Sequence, residues 1–191
     1  MERFVKGNSF QESKKKQLNK KDVSSIGEWD SKIKGLCDKI NKKRNYYTTS
    51  SCAGRIVLIK ALNKKAKDVF LFRSHKKISF KELKKALKEI KYAGLVYFQQ
   101  TTCILHIACF DLESAQGLVN KAKFAGWKHS GIMTTKKRFM VELHSTEKLE
   151  FPIMDGKRVL VDDNFLRLIV REANLKLERV WKKIGKLGDL V

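Results

Sequence analysis

The longest uncharged stretch of the chain, Tyr92 to Phe110, limits the possible folds more than any other feature. A membrane-spanning helix needs about 20 consecutive, predominantly apolar residues, but the polar residues at 99–102 divide this stretch in the middle. The segments on either side, about 94–98 and 103–110, have the length and apolar character of buried strands. The stretch therefore predicts two strands joined by a turn and no membrane span.

Helical and strand patterns alternate along the rest of the chain. Apolar residues recur at helical spacing over about 29–43, 79–91, 112–125 and 163–184. Short apolar runs predict further strands at about 45–49, 56–59, 69–72, 131–135, 138–144 and 157–161. Because the strands arrive as hairpins separated by single helices, we predict an α+β fold with a mixed, largely antiparallel sheet and flanking helices.

The length of the chain fits one folded unit. With 191 residues, of which 42% are hydrophobic, the chain has enough apolar material for one core. We predict a single compact domain over residues 22–191, preceded by a basic N-terminal arm or helix over residues 1–21. The similar rhythm of about 55–98 and 103–143 is compatible with an internal duplication. No G-x-G-x-x-G or G-x-x-x-x-G-K motif marks a nucleotide-binding turn, which disfavours Rossmann and P-loop folds.

The charge of the chain is strongly positive and unevenly distributed. The formal net charge is +22, and most of the excess lies between Lys32 and Lys91. The predicted helix at 79–91 carries an apolar stripe on one side and lysines without matching acids on the rest of its surface. A concentrated positive region is typical of proteins that bind a polyanion such as nucleic acid. The alternative is a chain in which lysine is simply abundant, as in many thermophile proteins.

An unusual polar segment, Asn45-Tyr-Tyr-Thr-Thr-Ser-Ser-Cys-Ala-Gly-Arg55, follows the first predicted helix. Small hydroxyl residues followed by Gly54 let backbone N–H groups converge on a ligand, and Arg55 adds a rigid cationic fork. An anion or cofactor loop is one interpretation. An ordinary hairpin turn rich in Ser and Gly is the other. Cys52 also suggests a thiol nucleophile, although the sequence ties no particular His to it.

The four cysteines favour free thiols over disulfides or a metal site. Cys37, Cys52, Cys103 and Cys109 contain no C-x-x-C pair and have no zinc-finger spacing with the histidines. We therefore expect no bound metal. No apolar segment follows Met1, so we expect no secretory signal and a cytoplasmic protein.

Several segments together resemble one known family. YYTTSSCAGR, at residues 46–55, is similar to the signature YYTTSSCSGR of the wybutosine-synthesising tRNA methyltransferases, the third protein of the wyosine pathway and its archaeal relatives. Ser74-His75, Ile104-Leu-His-Ile107 and Ala125-Gly-Trp-Lys-His-Ser-Gly-Ile132 also resemble segments of that family, as do Asn41 and Asn174. The resemblance covers about Asp22 to Ile184 and departs from the usual signature at Ala53.

The resemblance implies an enzyme with a non-Rossmann fold. The expected reaction is methyl transfer from S-adenosylmethionine to a ring nitrogen of a wyosine-type tricyclic guanosine, beside the anticodon of phenylalanine tRNA. Residues 22–191 would then form the catalytic domain. In-line attack on a sulfonium methyl requires aligned reactants, and a base or water must accept any ring proton. The alternatives are a non-catalytic basic RNA-binding domain and a thiol enzyme that uses Cys52.

The resemblance and the residue chemistry together suggest the site residues. We predict that His75 accepts the ring proton, because an unperturbed imidazole titrates near neutral pH, and that Ser74 and Cys52 are catalytic residues with it. The alternative is that His75 only caps the turn at a strand end. The residues predicted to bind the cofactor are Ser50, Ser51, Gly54, Arg55, His106, Ser130 and Gly131. The residues predicted to bind RNA phosphates are Lys32, Lys81, Lys84, Lys85 and Lys88.

Overall fold

The α+β class is confirmed by a computed structural model, which describes residues 2–20, 30–62, 68–134 and 138–191. Its helices are α1 (Glu2–Leu18), α2 (Ser31–Lys42), α3 (Phe80–Glu89), α4 (Leu112–Phe124) and α5 (Asp163–Leu190). Its strands are β1 (Tyr46–Cys52), β2 (Arg55–Lys60), β3 (Phe70–Ser74), β4 (Leu95–Thr101), β5 (Ile104–Cys109), β6 (Gly131–Thr134), β7 (Phe139–His144), β8 (Leu149–Asp155) and β9 (Arg158–Val159). No helix of the described ranges is long and apolar enough to cross a membrane.

The strands form two antiparallel sheets. One sheet has the order β1-β5-β7-β6, and the other has the order β3-β2-β4-β8-β9. Contacts within the chain define a first compact unit of Met1–Ala53, Cys103–Thr146 and Trp181–Val191, and a second of Gly54–Thr102 and Glu147–Val180. The predicted boundary after residue 21 lies outside the described residues, and the prediction of one domain over residues 22–191 stays a prediction.

The first unit is built on the four-stranded sheet. Asp30 caps α2 by accepting a hydrogen bond from the backbone N–H of Lys32 (3.2 Å), and the helix packs against β1 through its apolar stripe. The helix predicted over about 29–43 is thus confirmed for the residues described. Alternate residues of β5, such as Leu105 and Ile107, are completely buried, as expected for a strand with one face on the core.

The second unit is built on the five-stranded sheet and α3. Ser79 and Glu82 form a capping box at the start of α3, as the sequence predicts, and Leu83 and Leu87 are its buried residues. Ile56, Leu58 and Phe98 of β2 and β4 are completely buried. Asn174 of α5 donates to the carbonyl oxygen of Ile78 (2.8 Å) and accepts from the backbone N–H of the same residue (3.0 Å). This amide therefore fixes the segment that leads from β3 into α3.

The hairpins expected from the sequence do not form where two neighbouring strands enter different sheets. β4 and β5 are both confirmed as strands, but β4 pairs with β2 and β8, whereas β5 pairs with β1 and β7. β1 and β2 are separated in the same way. The two stretches compared for a duplication also differ, because a helix follows the second strand in β2-β3-α3-β4 and the first strand in β5-α4-β6-β7.

The sequence analysis did not predict strand β8. β8 lies between β4 and β9, although it contains Pro152, which cannot donate a hydrogen bond to the ladder. Pro152 lies opposite Tyr97, where the register between β4 and β8 shifts. An irregularity of this kind is one of the few places where a sheet tolerates proline.

Candidate active site

Four residues form one row across the sheet of the first unit. Ser50 of β1 lies opposite His106 of β5, His106 lies opposite Glu142 of β7, and Glu142 lies opposite Gly131 of β6. Three of the four were predicted as cofactor-binding residues from the sequence. The structure therefore brings Ser50, His106 and Gly131 together on one face of one sheet.

The first three residues of the row are joined by hydrogen bonds. The Ser50 hydroxyl lies 2.6 Å from Nδ1 of His106, and Nε2 of His106 lies 2.8 Å from a carboxylate oxygen of Glu142. An ionised carboxylate can only accept a hydrogen bond, so in the neutral imidazole Nε2 carries the ring proton and Nδ1 accepts from the Ser50 hydroxyl. The side chains of His106 and Glu142 are 25% and 35% exposed, and Ser50 is exposed, so solvent reaches the row.

A register shift in β1 places Ser50 on this face. Tyr47 lies opposite Ala108 and Ser50 lies opposite His106, so one extra residue is inserted between them. Without that shift, residues 47 and 50 would point to opposite faces, because side chains alternate along a strand. Asn41 of α2 holds the start of the irregular region by accepting from the backbone N–H of Thr48 (2.8 Å) and donating to its hydroxyl (3.0 Å).

The two rows next to the row with Ser50 on the same face differ in burial. The neighbouring row of Tyr47, Ala108 and Met140 is buried, and Phe10 of α1 packs on it, with its ring centroid 5.1 Å from that of Tyr47. On the other side, Cys52, Ile104 and His144 form the next row. Cys52 is only partly buried there. The row with Ser50 thus lies at the border between a covered apolar region and a more open polar one.

Ser51 faces away from this row. Its hydroxyl forms a hydrogen bond with the thiol of Cys37 in α2, and burial raises the pKa of that thiol to about 12. Two residues further along, the backbone N–H of Ala53 donates to the Asp30 carboxylate at 3.0 Å. The predicted loop from Ser50 to Gly54 is therefore mostly strand, and consecutive serines of the signature serve opposite faces of the sheet.

The adjacent residues Ser130 and Gly131 also have different surroundings, since one is buried and the other is exposed. The Ser130 hydroxyl is buried, donates to the carbonyl oxygen of Trp127 (2.6 Å) and accepts from the backbone N–H of His144 (3.2 Å). These bonds join the turn after α4 to β7. Gly131 is exposed and belongs to the row, and nothing lies within 4 Å of the position a Cβ would take.

Gly54 and Arg55, which complete the signature, belong to the second unit. Gly54 has a φ of +90°, and a Cβ there would lie 2.9 Å from the carbonyl oxygen of Thr101, so only glycine fits without strain. The Arg55 guanidinium lies 4.9 Å from the centroid of the Phe70 ring. Its Nε is buried and has no hydrogen-bond partner within the described part of the chain. A buried donor of this kind is costly unless a ligand or water satisfies it.

Ser74 and His75 also belong to the second unit, where β3 ends. The Ser74 hydroxyl donates to the carbonyl oxygen of Lys76 (2.9 Å) and accepts from its backbone N–H (3.1 Å), which is the geometry of a turn. His75 follows directly and is partly buried. The catalytic roles predicted for Ser74, His75 and Cys52 stay predictions.

The predicted RNA-binding lysines lie in both units. Lys32 is exposed on α2 in the first unit, with its ammonium 4.8 Å from the centroid of the Trp181 ring. We name the other four, all on α3 of the second unit, the lysine face: Lys81, Lys84, Lys85 and Lys88. Lys84 forms an ion pair with Asp163, and the ammonium of Lys85 lies 3.8 Å from a carboxylate oxygen of Glu89.

A cavity of about 780 Å³ adjoins the lysine face within the second unit. Its cations are Lys84, Lys88, Lys91 and Lys157, and its apolar lining includes Leu87 and Met154. Asp163, the ion-pair partner of Lys84, also lines it. Lysines beside apolar side chains suit an anionic ligand that also has an apolar part, such as a nucleotide.

Glu142 is the functional candidate that the sequence analysis missed. It lies in β7, in which Met140, Val141 and Leu143 are buried. An acidic residue within such an apolar strand was a usable signal, because a carboxylate there needs a partner. What the sequence could not supply was the register that puts Glu142 opposite His106.

The chain is similar to known proteins over most of its length. A model of the family described as methyltransferase TYW3 matches residues 10–191. A Thermococcus sibiricus protein named tRNA(Phe) 7-((3-amino-3-carboxypropyl)-4-demethylwyosine(37)-N(4))-methyltransferase is 35% identical over 97% of this chain and 96% of its own. A protein of the same name from Methanocaldococcus jannaschii is 38% identical, over 89% of this chain and 90% of its own.

The fold has solved counterparts. The structure of the PH1069 protein from Pyrococcus horikoshii matches 96% of this chain and 94% of its own, with a TM-score of 0.87 and 33% identity. A structure of a hypothetical protein from Aeropyrum pernix matches with a TM-score of 0.73 at 24% identity, which bears on the fold alone.

Proposed function

The chain belongs to the methyltransferase TYW3 family, and from that premise we propose that it methylates a wyosine-type guanosine of phenylalanine tRNA with S-adenosylmethionine as donor. The observation that carries the proposal is the family match over residues 10–191, together with relatives named for this reaction. Their names specify N4 of a 7-aminocarboxypropyl-demethylwyosine at position 37. We propose the same base and ring nitrogen for this enzyme.

The residues present fit the proposed methyl donor. S-adenosylmethionine, when bound, supplies a methyl group on a positively charged sulfur and leaves as a neutral thioether. The buried Nε of Arg55 lacks a partner among the described residues, and a planar guanidinium suits the carboxylate of the methionyl part. We propose that Arg55 binds this carboxylate.

The roles of the remaining signature residues follow from their contacts. The hydroxyl groups of Ser51 and Ser130 already form hydrogen bonds with Cys37 and Trp127. We therefore propose that these serines shape the site and do not bind the donor directly. Ser74 similarly holds the turn that presents His75. His75 remains a candidate proton acceptor, because it directly follows this turn and imidazole is the commonest general base in enzymes.

The lysines supply affinity for tRNA in this proposal. Phosphate contacts by Lys and Arg provide sequence-independent binding energy and position the nucleic acid. The lysine face and the cavity beside it offer several cations close together. We propose that this surface binds the tRNA backbone. The predicted cytoplasmic location is also part of this proposal and rests on the tRNA substrate.

A direct assay separates this function from the non-catalytic alternative. The purified protein is incubated with methyl-labelled S-adenosylmethionine and phenylalanine tRNA that carries the demethylwyosine base. The base on this tRNA is the 7-aminocarboxypropyl form named for the relatives. A matched tRNA with unmodified guanosine at position 37 is the control. Label should enter only the first tRNA, and calorimetry should show binding of the donor. Binding of both tRNAs without label transfer or donor binding would instead identify an RNA-binding domain.

A further inference from the structure

The geometry points to a proton relay, in which Ser50 takes the ring proton of the substrate and passes its own proton to His106. Glu142 acts in this relay as a positioning residue. The inference rests on the proposed methyltransferase function and names the groups that carry its proton. It differs from the sequence-based prediction, which assigned proton transfer to His75.

The hydrogen bonds determine which atom meets the substrate. Nε2 of His106 donates to Glu142, and Nδ1 accepts from the Ser50 hydroxyl, so neither ring nitrogen is available to a ligand. The Ser50 oxygen has used its hydrogen but retains lone pairs, and the residue is exposed. Of these three hydrogen-bonded residues, Ser50 is therefore the one that can accept a hydrogen bond from a substrate N–H.

The proton balance of the reaction fits this chain. The ring nitrogen supplies both electrons of the new bond to the methyl group, so the ring becomes positively charged. Its N–H bond must then break, and the proton must leave, to give a neutral product. The N–H proton passes to the Ser50 oxygen while the hydroxyl proton passes to Nδ1 of His106. The imidazole becomes an imidazolium, which the Glu142 carboxylate stabilises, and solvent later removes the proton. Ser50 ends the cycle with its hydroxyl restored, so it forms no covalent intermediate.

The surroundings of His106 suit this role. Ile104 and Ala108 flank it on β5, and Phe10 covers the apolar row next to it. Helix α1 packs against β1 and carries Lys14. The ammonium of Lys14 donates a hydrogen bond to the carbonyl oxygen of Lys43 (2.6 Å). Among the described residues, the titratable groups on this face of the neighbouring strands β1 and β7 are Tyr47, Cys52, Glu142 and His144. Glu142 is the acidic group that contacts the ring, so it supplies the negative charge that favours proton uptake.

The test is a pH–rate profile of single-turnover methyl transfer. It compares the wild-type protein with Ser50→Ala, Ser50→Thr, His106→Gln, Glu142→Gln and His75→Gln. His129→Gln is the matched control, because it removes an exposed imidazole of the same unit that is not in the row. Binding of S-adenosylmethionine by calorimetry and circular dichroism spectra are recorded for every variant.

The expected results distinguish each role. His106→Gln should lower the rate by about 10²- to 10⁴-fold, the usual range for general base catalysis, and abolish the rise of rate with pH. Ser50→Ala should do the same, and Ser50→Thr should recover activity because it keeps the hydroxyl. Glu142→Gln should slow the reaction and move the rising limb to lower pH, since a neutral amide stabilises the imidazolium less.

Other outcomes would overturn the relay. A folded His106→Gln protein that keeps its rate and its pH limb, while His75→Gln loses both, would assign proton transfer to His75. Loss of donor binding together with activity in Ser50→Ala would assign Ser50 to donor binding alone. If the wild-type protein transfers no methyl group, the proposed function itself fails. That result is read from the wild type and not from the variants.

Discussion

Asn174→Ala should destabilise the protein by removing two partly buried hydrogen bonds to the backbone, which we call the clamp. In the native structure the Asn174 amide donates to the carbonyl oxygen of Ile78 at 2.8 Å and accepts from its N–H at 3.0 Å. Ile78 is only 4% exposed, so its two backbone groups have little access to water. Alanine would leave both without a partner.

The magnitude follows from opposing contributions. Each hydrogen bond contributes about 1 kcal/mol net, and an unsatisfied buried polar group costs about 1–3 kcal/mol. Alanine recovers roughly 0.7 kcal/mol because it has the higher helix propensity at a position within α5. We therefore expect the free energy of unfolding to fall by about 2–4 kcal/mol.

Urea unfolding measures this change and allows a matched control. Asn120→Ala makes the same replacement on the exposed surface of α4, where the Asn120 side chain only accepts from Gln116 at 2.8 Å. The helix-propensity gain is shared by both variants, so the difference in their midpoints, at unchanged slope, isolates the clamp. Equal midpoints for the two variants would refute the reasoning. A changed slope would show that the folded or unfolded state itself had changed.

Three further predictions concern binding and reactivity. Arg55→Lys should reduce affinity for S-adenosylmethionine by about tenfold or more, because an ammonium cannot reproduce a two-point contact with a carboxylate; unchanged calorimetric affinity would exclude Arg55 as the anchor. Changing all four residues of the lysine face to Glu should weaken tRNA binding and reduce its salt slope by about two, since each phosphate contact contributes about one and Lys84 and Lys85 are already paired with Asp163 and Glu89; an unaltered slope would remove this surface from the proposal. At pH 8 iodoacetamide should label Cys52 before Cys37 or Cys109, because burial raises the pKa of the latter two thiols to about 12 and the thiolate is the reactive form; mass spectrometry showing early labelling of Cys37 would contradict this.

Local patterns were sufficient for most elements of secondary structure. The helices α2 to α5 and all strands except β8 lie where periodicity and capping residues place them. β8 was missed because Pro152 is normally evidence against a paired strand, and only the shifted register with β4 accommodates it. Local patterns also could not predict how the strands divide between two sheets, because the choice of a strand's partner depends on residues far apart in sequence.

The candidate site was predictable in part. His106 and Ser50 were singled out from their residue types and from family resemblance, and the structure joins them at 2.6 Å. Ser51 was included with Ser50, yet it faces Cys37 on the other side of the sheet. Adjacent residues of a strand point to opposite faces, so a motif read as one unit can serve two surfaces.

The amino-acid sequence by itself determined the α+β class, the helical segments, the concentration of positive charge and the small polar residues of the signature. Each of these depends on local composition and periodicity, which a chain carries before it folds. Only the tertiary structure decided that Ser50, His106, Glu142 and Gly131 form one row. That row depends on the register of four strands and on the shift between Thr48 and Ser50. A shift of one residue would turn Ser50 to the other face and separate it from His106.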